Sequence, residues 1–598
     1  MTRTKGLDHA FIGNCTSGAL VGPDGSIDWL CLPFFDSASV FARLLDEGKG
    51  GYFRIAGADV LRVSQEYLFH TPILKTTVET RDGTFEVRDL MPRFTLPGGE
   101  VYCPSEIHRG VRVVSGAPRV RVEFCPAPNY ASAPGSIVRH EEYFKVSSNQ
   151  GPYNSFYLYT DFDPEALLSG EAVPLKESAF FLLSYHEKMD RVDQEKVYVE
   201  YEKTKSYWLD WVSRTQLPQD YKELVIRSAI TLKMLMFQRT GAVIAAPTTS
   251  LPEIVGGARN WDYRYCWVRD ASMIIDLCSR IGHAHTSARF LSFILNRMLL
   301  KHENIGVMYG INGEEVLEEK TLDHLEGYRR SRPVRIGNGA YCQKQNDIYG
   351  ELIAAIHTSF VADRGSVRVI DEEIWTVVRS LVNRVLEVWA KPDAGIWERR
   401  DKERHYVHSK MMAWVALDRA ARIASVIGKT GHLPRLMSAA EQVRRDILEN
   451  GWDPKQKSFV MFYGGKELDA ANLLMLHYGF LTPEDEKMRL TILRTWEGLS
   501  KNGLLLRYSG EDGFGAPANS FLVCNFWMVN ALHAIGQTQE ARTLFERVIG
   551  HANAFGLLSE DLDPVTGELT GNFPQGYSHL ALIKSAFILE GNNGGAAS

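Results

Sequence analysis

Gly395-Ile396-Trp397-Glu398-Arg399-Arg400 sets a glycine turn, a tryptophan and a carboxylate side by side between two strongly helical segments. A second carboxylate, Glu560, stands in Gly556-Leu-Leu-Ser-Glu560-Asp-Leu-Asp563-Pro-Val-Thr-Gly567, just ahead of a Pro/Gly turn. Two such groups can divide acid–base work, one protonating a leaving oxygen while the other activates water, which is the demand of glycoside hydrolysis. A third segment, Asn260-Trp-Asp-Tyr263-Arg-Tyr265-Cys-Trp267-Val-Arg269-Asp270, crowds aromatic rings against fixed charges. Sugars present flat C–H faces rimmed by hydroxyls, so aromatic platforms beside forked donors and acceptors suit them, and Arg269 with Asp270 could hold two adjacent hydroxyls. Taken alone, the same residues also fit a plainer arrangement, with tryptophans plugging the end of a bundle and Arg269 paired to Asp270.

Periodicity indicates the elements that must carry these segments. From about Phe11 to Asp193 short strands and turns dominate. Ile73 to Leu90 reads as two alternating strands around Arg81-Asp82-Gly83, and Val111 to Phe124 repeats the arrangement around Ser115-Gly-Ala-Pro118. Asp24-Gly25 makes another hairpin leading into Ser26-Ile-Asp-Trp-Leu-Cys-Leu32, and Asp36 could cap a short helix from Ser37 to Leu45. Such a pattern predicts an N-terminal antiparallel β-sandwich over residues 1–193. A charged, helix-favouring linker follows at 194–215.

Beyond it the texture turns helical, with stretches near 221–238, 270–281, 284–302, 348–361, 372–390, 409–427, 433–450, 469–478, 483–497, 521–534, 539–554 and 577–589. Ile374, Val378, Leu381 and Val385 fall on one face of the fifth. The stretch from Tyr221 is apolar nearly all round, as an inner helix would be. The expected architecture of 216–598 is an all-α (α/α)6 barrel of six inner and six outer helices, whose long connections 239–269, 303–347, 391–408, 499–520 and 555–576 converge on a pocket.

Bulk properties narrow the partners. The chain has 598 residues, enough for two domains, and a formal net charge of -6 with no basic run, which gives no reason to expect nucleic acid or an anionic membrane. A small neutral or polar substrate fits better. The eight cysteines are scattered, without the paired spacing of a zinc site, and read as reduced thiols. No apolar run has the length of a membrane span and the first residues lack a signal-peptide core, so a cytoplasmic protein is the expectation. No sequence feature speaks to oligomeric state, and none calls for a metal or organic cofactor.

Several of these segments together carry a family resemblance. Asn260 to Met273, Arg335-Ile-Gly-Asn338, Gly395 to Arg399 and Thr566-Gly-Glu-Leu-Thr-Gly-Asn-Phe-Pro-Gln575 resemble glycoside hydrolase family 15, in its trehalase-like or glucoamylase-like branch. Phe11-Ile-Gly-Asn-Cys15 and Gly25 to Pro33 resemble that branch's β-sandwich domain, so the likeness spans nearly the whole chain. The resemblance implies inverting exo-hydrolysis of an α-linked glucosyl residue, with trehalose the first-choice substrate and malto- or isomalto-oligosaccharides the alternative. By motif position Glu398 corresponds to the general acid and Glu560 to the general base. Tyr263 falls where the family places a tyrosine near the attacking water, Arg269, Asp270 and Arg507 where it grips the non-reducing glucose, and Trp267 and Trp397 at its aromatic walls.

Glu398 is expected to be kept protonated by an apolar setting that includes Trp397, and Glu560 to stay ionised. Arg399 stands where starch-cleaving fungal members have a second carboxylate. Arg399, Arg335, Asn338 and Gln345 complete the expected substrate contacts. His405, His408 and His579 read as hydrogen-bonded structure, and Phe34 and Phe35 as packing between domains. A disaccharide phosphorylase, or a sugar-binding protein without catalysis, is the rival reading.

Overall fold

The computed structural model describes residues 6–132, 135–148, 154–301, 305–362 and 371–591. Two antiparallel sheets form its N-terminal part. One has the order Ala10–Gly13, Gly18–Val21, Ser26–Cys31, Tyr52–Gly57, Arg119–Cys125, Val173–Pro174, with Ser39–Phe41 added beside the third strand. The other runs Gly135–Arg139, Phe144–Ser148, Ser155–Thr160, Ser178–Tyr185, Glu106–Gly116, Gly83–Leu90, Leu74–Thr80, Val60–Tyr67. Along Leu74–Thr80 burial alternates residue by residue, because successive side chains of a strand point to opposite faces. The inward set, with Phe53, Phe85, Ile107, Phe124 and Phe181, fills the space between the sheets.

Two local expectations here are corrected. Strands Glu106–Gly116 and Arg119–Cys125 both exist, but they do not form a hairpin. The first pairs with Gly83–Leu90 and the second with Tyr52–Gly57, so the Ala117-Pro118 turn carries the chain from one sheet to the other. Residues 37–45 hold the short strand Ser39–Phe41 and turns in place of a helix. Val40 and Phe41 are worth more as strand residues buried in the sandwich, and the Asp36 carboxylate accepts a hydrogen bond from the distant Ile311 N–H, at 3.3 Å, where a helix cap was expected.

Helix α1 (Gln194–Ser213), capped by the Asp193 side chain, lies on the outer face of the second sheet and leads into the helical part. There the described helices are α2 (Lys222–Met234), α3 (Val268–Arg280), α4 (Ala284–Lys301), α5 (Ile348–Ala362), α6 (Asp371–Val388), α7 (Val407–Val426), α8 (Leu433–Asn450), α9 (Leu474–His477, extended backwards by the 3-10 turn Ala470–Leu473), α10 (Glu486–Leu499), α11 (Leu522–Ala534), α12 (Thr538–Ile549) and α13 (Gly576–Leu589). Residue 302, expected to end the third stretch, lies outside the described residues. The odd-numbered helices from α3 to α13 each pack on the next and α13 returns to α3, closing an inner ring, while α2 and the other even-numbered helices lie outside it. No helix among the described residues is long and apolar enough to cross a membrane.

Contrary to expectation, the apolar helix at Tyr221 is not an inner one. It packs on α13 and is roofed by the β-sandwich, where Arg227 donates to the Thr71 carbonyl at 3.0 Å and lies 3.6 Å over the Tyr67 ring. Its all-round apolarity follows from being covered on both sides. The roof belongs to a larger joint. Phe11, Trp29, Phe35, Leu44 and Tyr130 from the sandwich share one core with the barrel helices, and the Trp29 indole donates to the Pro247 carbonyl at 2.7 Å. Phe34 packs edge-on against Phe237, so both phenylalanines serve this joint.

At its centre Arg264 and Asp262, both fully buried, form a forked pair at 2.7 and 2.9 Å, and Arg264 also donates to the Ser37 carbonyl. Removing one member of a buried pair strands the other's charge. Asp262→Asn should therefore destabilise the protein by about 3–5 kcal/mol, with the sandwich and barrel melting together, as followed by calorimetry or circular dichroism.

Candidate active site

The inner helices begin at one end of the barrel, and the segments preceding them line a cleft of about 90 Å³. Trp261 to Tyr265 runs antiparallel to Ala245–Ser250, with Ala246 N–H donating to the Tyr263 carbonyl and Ser250 N–H to the Trp261 carbonyl. In an extended segment alternate side chains face opposite ways. Asp262 and Arg264 accordingly enter the joint with the sandwich, while Trp261, Tyr263 and Trp267 reach the cleft.

Glu398 sits on the tight turn that Gly395 opens. Its own backbone is left-handed, with φ 54°, and its N–H bonds back to the Gly395 carbonyl at 3.2 Å. A non-glycine residue held there carries backbone strain, which persists where the surroundings fix it. They do so here, since Trp267 Nε1 donates to Glu398 Oε1 at 2.6 Å and Arg269 Nη2 lies 3.4 Å from the same oxygen. The expected apolar setting is thus corrected. Trp397 turns its indole N–H to Asp469 at 2.8 Å and packs against Tyr508, Phe521 and Trp527, so it props the turn while its ring forms part of the wall.

Glu560 begins the hairpin Asp561–Leu562 with Leu569–Thr570, which pairs in turn with Ser520–Phe521 ahead of α11. Its Oε1 accepts the Tyr263 hydroxyl at 2.5 Å and its Oε2 the Asn572 N–H at 3.2 Å. Gly571, at φ 74°, leaves room for it, because a β-carbon there would stand 2.7 Å from the carboxylate. Burial, and next the Glu253 carboxylate, push Glu560 above the usual carboxylate range, against the pull of Tyr263, Arg507 and the Asn572 N–H. The expectation that Glu560 stays ionised is corrected accordingly, since its proton is held to higher pH than an ordinary glutamate's. Burial and the adjoining Glu560 hold the Tyr263 phenol protonated, hence a donor. Tyr263 packs edge-on to Trp267, with centroids 5.3 Å apart. The two carboxylates therefore hang from the two rings of a single aromatic pair.

Two buried guanidinium–carboxylate groups complete the walls. Arg269 lies 3.3 Å from Asp270 and 3.2 Å from Asp347, and burial raises Asp270 to about 6. Arg507 donates to Glu253 at 2.5 Å, and Arg259 joins Glu253 to Asp512. The ion pair read as the plainer arrangement for Arg269 and Asp270 is present, and both residues line the cleft all the same.

Of the residues singled out from sequence, Glu398, Glu560, Tyr263, Trp267, Arg269, Asp270, Trp397, Arg507 and Asn338 line the cleft. Arg399, Arg335 and Gln345 stand behind it. Arg399 is turned into the protein against Asp401 and the Glu511 carbonyl. Arg335 supports the 258–261 loop through the Ala258 and Asn260 carbonyls, and Gln345 accepts from Arg269 at 2.9 Å. His579 is buried between Ser228 and the Leu558 N–H, His408 is buried, and His405 stacks on Tyr463.

Sequence reasoning missed Glu253, Arg259, Arg400, Asp512, Phe514 and Tyr577, all in the lining. Arg400 takes the place expected of Arg399 because the left-handed residue before them reverses the chain. Asp512, within Gly510-Glu-Asp-Gly513, carried a turn signal, whereas Glu253 carried none.

Known proteins resemble both parts of the chain. The profile of glycosyl hydrolases family 15 matches residues 219–587, and that of the trehalase-like N-terminal domain matches residues 4–158. A trehalase of Thermoplasma volcanium is 36% identical over 591 residues, covering 97% of this chain and 93% of its own length. A trehalase of Mycolicibacterium smegmatis is 34% identical, over 97% and 90% of the two chains. A bacterial glucoamylase solved in complex with acarbose shares the fold, with a TM-score of 0.71 and 12% identity over 98% of this chain and 94% of that one.

The turn under Glu398 can be tested by comparing two glycines. Gly428 and Gly395 have φ of 77° and 71°, but a β-carbon meets nothing at the first and the Tyr406 ring at 2.7 Å at the second. Gly428→Ala should cost about 1–2 kcal/mol for its left-handed backbone, and Gly395→Ala about 1–3 kcal/mol more for the collision, measured by thermal denaturation.

Proposed function

Because the chain belongs to glycosyl hydrolase family 15, and is thereby a glycoside hydrolase, we propose that it is a trehalase that cleaves the α-linked disaccharide with inversion. The observation that carries the substrate is the run of relatives named trehalase that match it over nearly its whole length, whereas its likeness to the solved bacterial glucoamylase is one of fold. A glucoamylase-type exo-glucosidase acting on malto- or isomalto-oligosaccharides is the second reading, and it rests on that fold. In the same reading residues 1–193 form the sandwich domain, 194–215 the linker and 216–598 the catalytic barrel.

Glu398 is the general acid. Trp267 and Arg269 both address its Oε1, which leaves Oε2 to carry the proton that goes to the glycosidic oxygen as the C–O bond breaks. Glu560 is the general base. It removes a proton from the water that attacks the anomeric carbon, and the Tyr263 hydroxyl and Asn572 N–H steady the carboxylate while it does so. Suspension of the two acids from separate rings of the Tyr263–Trp267 pair, with no hydrogen bond between them among the described residues, supports a site with room for water, as inversion requires. The Arg269–Asp270 and Arg507–Glu253 groups offer both donors and acceptors to glucose hydroxyls.

Glu253 and Arg507 in the lining, and two acids with separate supports, favour hydrolysis over phosphorolysis, which needs a single carboxylate and phosphate as nucleophile. Glu398→Gln and Glu560→Gln should each lower kcat on trehalose by about 10²–10⁴-fold with binding retained. Proton NMR of the first products should show α- and β-glucose in equal amounts, since the attacked ring inverts and the other leaves as the α-anomer; α-glucose alone would mean retention. A panel of trehalose, maltose, maltotriose, isomaltose and kojibiose should give the highest kcat/KM for trehalose, and preference for maltotriose would favour the second reading.

The base must be ionised to act, so its raised position places the acidic limb of kcat/KM above the ordinary glutamate range. Glu253→Gln removes a like charge that raises it and frees Arg507, and both changes move that limb to lower pH. The pH profile of the variant reads this directly.

A further inference from the structure

Glu106 and His108 lie two residues apart in strand Glu106–Gly116, so they share the face that α1 covers. The buried stripe of α1 is Val197, Glu200, Tyr201, Thr204, Trp208 and Trp211, and it presents a carboxylate where packing alone would ask for an apolar residue. Glu106, His108 and Glu200 are 1%, 0% and 7% exposed and meet in one cluster. His108 Nε2 lies 3.1 Å from Glu106 Oε2 and 3.6 Å from Glu200 Oε2.

We propose that these three side chains bind one divalent transition-metal ion of the zinc class, which clasps the linker helix to the sandwich. Zinc bonds to histidine nitrogen and carboxylate oxygen are about 2.0–2.2 Å, so tetrahedral ligand atoms stand roughly 3.4 Å apart. The two distances here bracket that edge. One imidazole with two carboxylates is also a donor set that suits zinc better than magnesium or calcium, which prefer oxygen alone.

Two further observations point to a cation. Glu106 Oε1 and Glu200 Oε2 are buried and accept no hydrogen bond from any of the described residues, and Glu200 Oε2 is aimed at the histidine. The charges do not balance either. Lys196 binds Glu200 Oε1, but with a neutral imidazole the second carboxylate has no counter-charge among the described residues, and an uncompensated buried carboxylate is costly. A divalent ion supplies the missing charge, with water in the remaining coordination position. The cluster belongs to the sandwich–helix joint, and among the described residues its hydrogen bonds and ion pairs include none to the cleft, so its role is structural.

The test uses the whole chain, stripped with EDTA, dialysed against Zn²⁺ and then freed of excess metal. The expected results are one zinc per chain by inductively coupled plasma mass spectrometry, and a melting temperature about 5 °C above that in EDTA when the site is saturated. Both should be lost in Glu200→Gln and in His108→Gln. Co²⁺ on the wild-type chain should give the visible absorption of a four-coordinate ion, a readout that stands even if a variant does not fold. Absence of bound metal and of any Zn²⁺-dependent shift overturns the proposal, as does undiminished Zn²⁺ binding by the variants. A melting temperature that ignores metal and rises on acidification would assign the counter-charge to a protonated His108 and likewise overturn it.

Discussion

The site depends on a constraint that lies just outside it, the buried Asp262–Arg264 pair. Because the segment is extended, fixing two alternate residues in the joint fixes the residues between and beside them on the opposite side. Tyr263 and Trp267 are thereby presented to the cleft, and each holds a carboxylate that belongs to a different part of the chain. Neither ring could adjust without moving a fully buried ion pair. In this way the sandwich, which contributes Trp29, Ser37 and Tyr130 around Arg264, bears on the placement of groups in a pocket that it does not line.

The electrostatics of the cleft follow from crowding acids where water is scarce. Burial and then the Glu253 carboxylate raise Glu560, burial and then Glu560 and Glu253 raise Asp561, and Arg507 opposes both shifts while Arg259 also opposes the second. On the other side Arg269 is shared among Asp270, Asp347, Gln345 and Glu398. One guanidinium that serves four partners is held against rotation from several directions, which suits a residue that must meet a substrate hydroxyl at one fixed angle.

Much of this was legible in the sequence, and the misses have physical causes. Helices announced themselves by apolar spacing, and the Gly395 and Glu560 motifs were found because turns and carboxylates are local signals. Whether a helix is inner or outer is not local. Lys222–Met234 has the composition of an inner helix because the sandwich covers it, a fact its own residues do not record. Strand pairing at 106–125 failed for the same reason, since the turn residues fit a hairpin equally well as a crossing between sheets. Glu253 gave no signal because its importance lies in a partner far along the chain, Arg507, and Gln345 was expected against substrate but instead accepts from the distant Arg269 behind the cleft. Arg399 was mistaken for its neighbour because a single residue with positive φ redirects those that follow.

The closure of the inner ring by α13 on α3 sets an order of events during synthesis. Contacts between elements so distant along the chain cannot form until the C-terminal helix has left the ribosome, and non-local closure is slow. The sandwich and α1 can assemble first, but Phe11, Trp29 and Phe35 wait uncovered for α2 and the 245–265 segment. The Glu560 hairpin arrives with the last helix. A nascent chain therefore holds its acid long before its base, and a truncation ahead of Glu560 removes the base together with the helix that seals the ring.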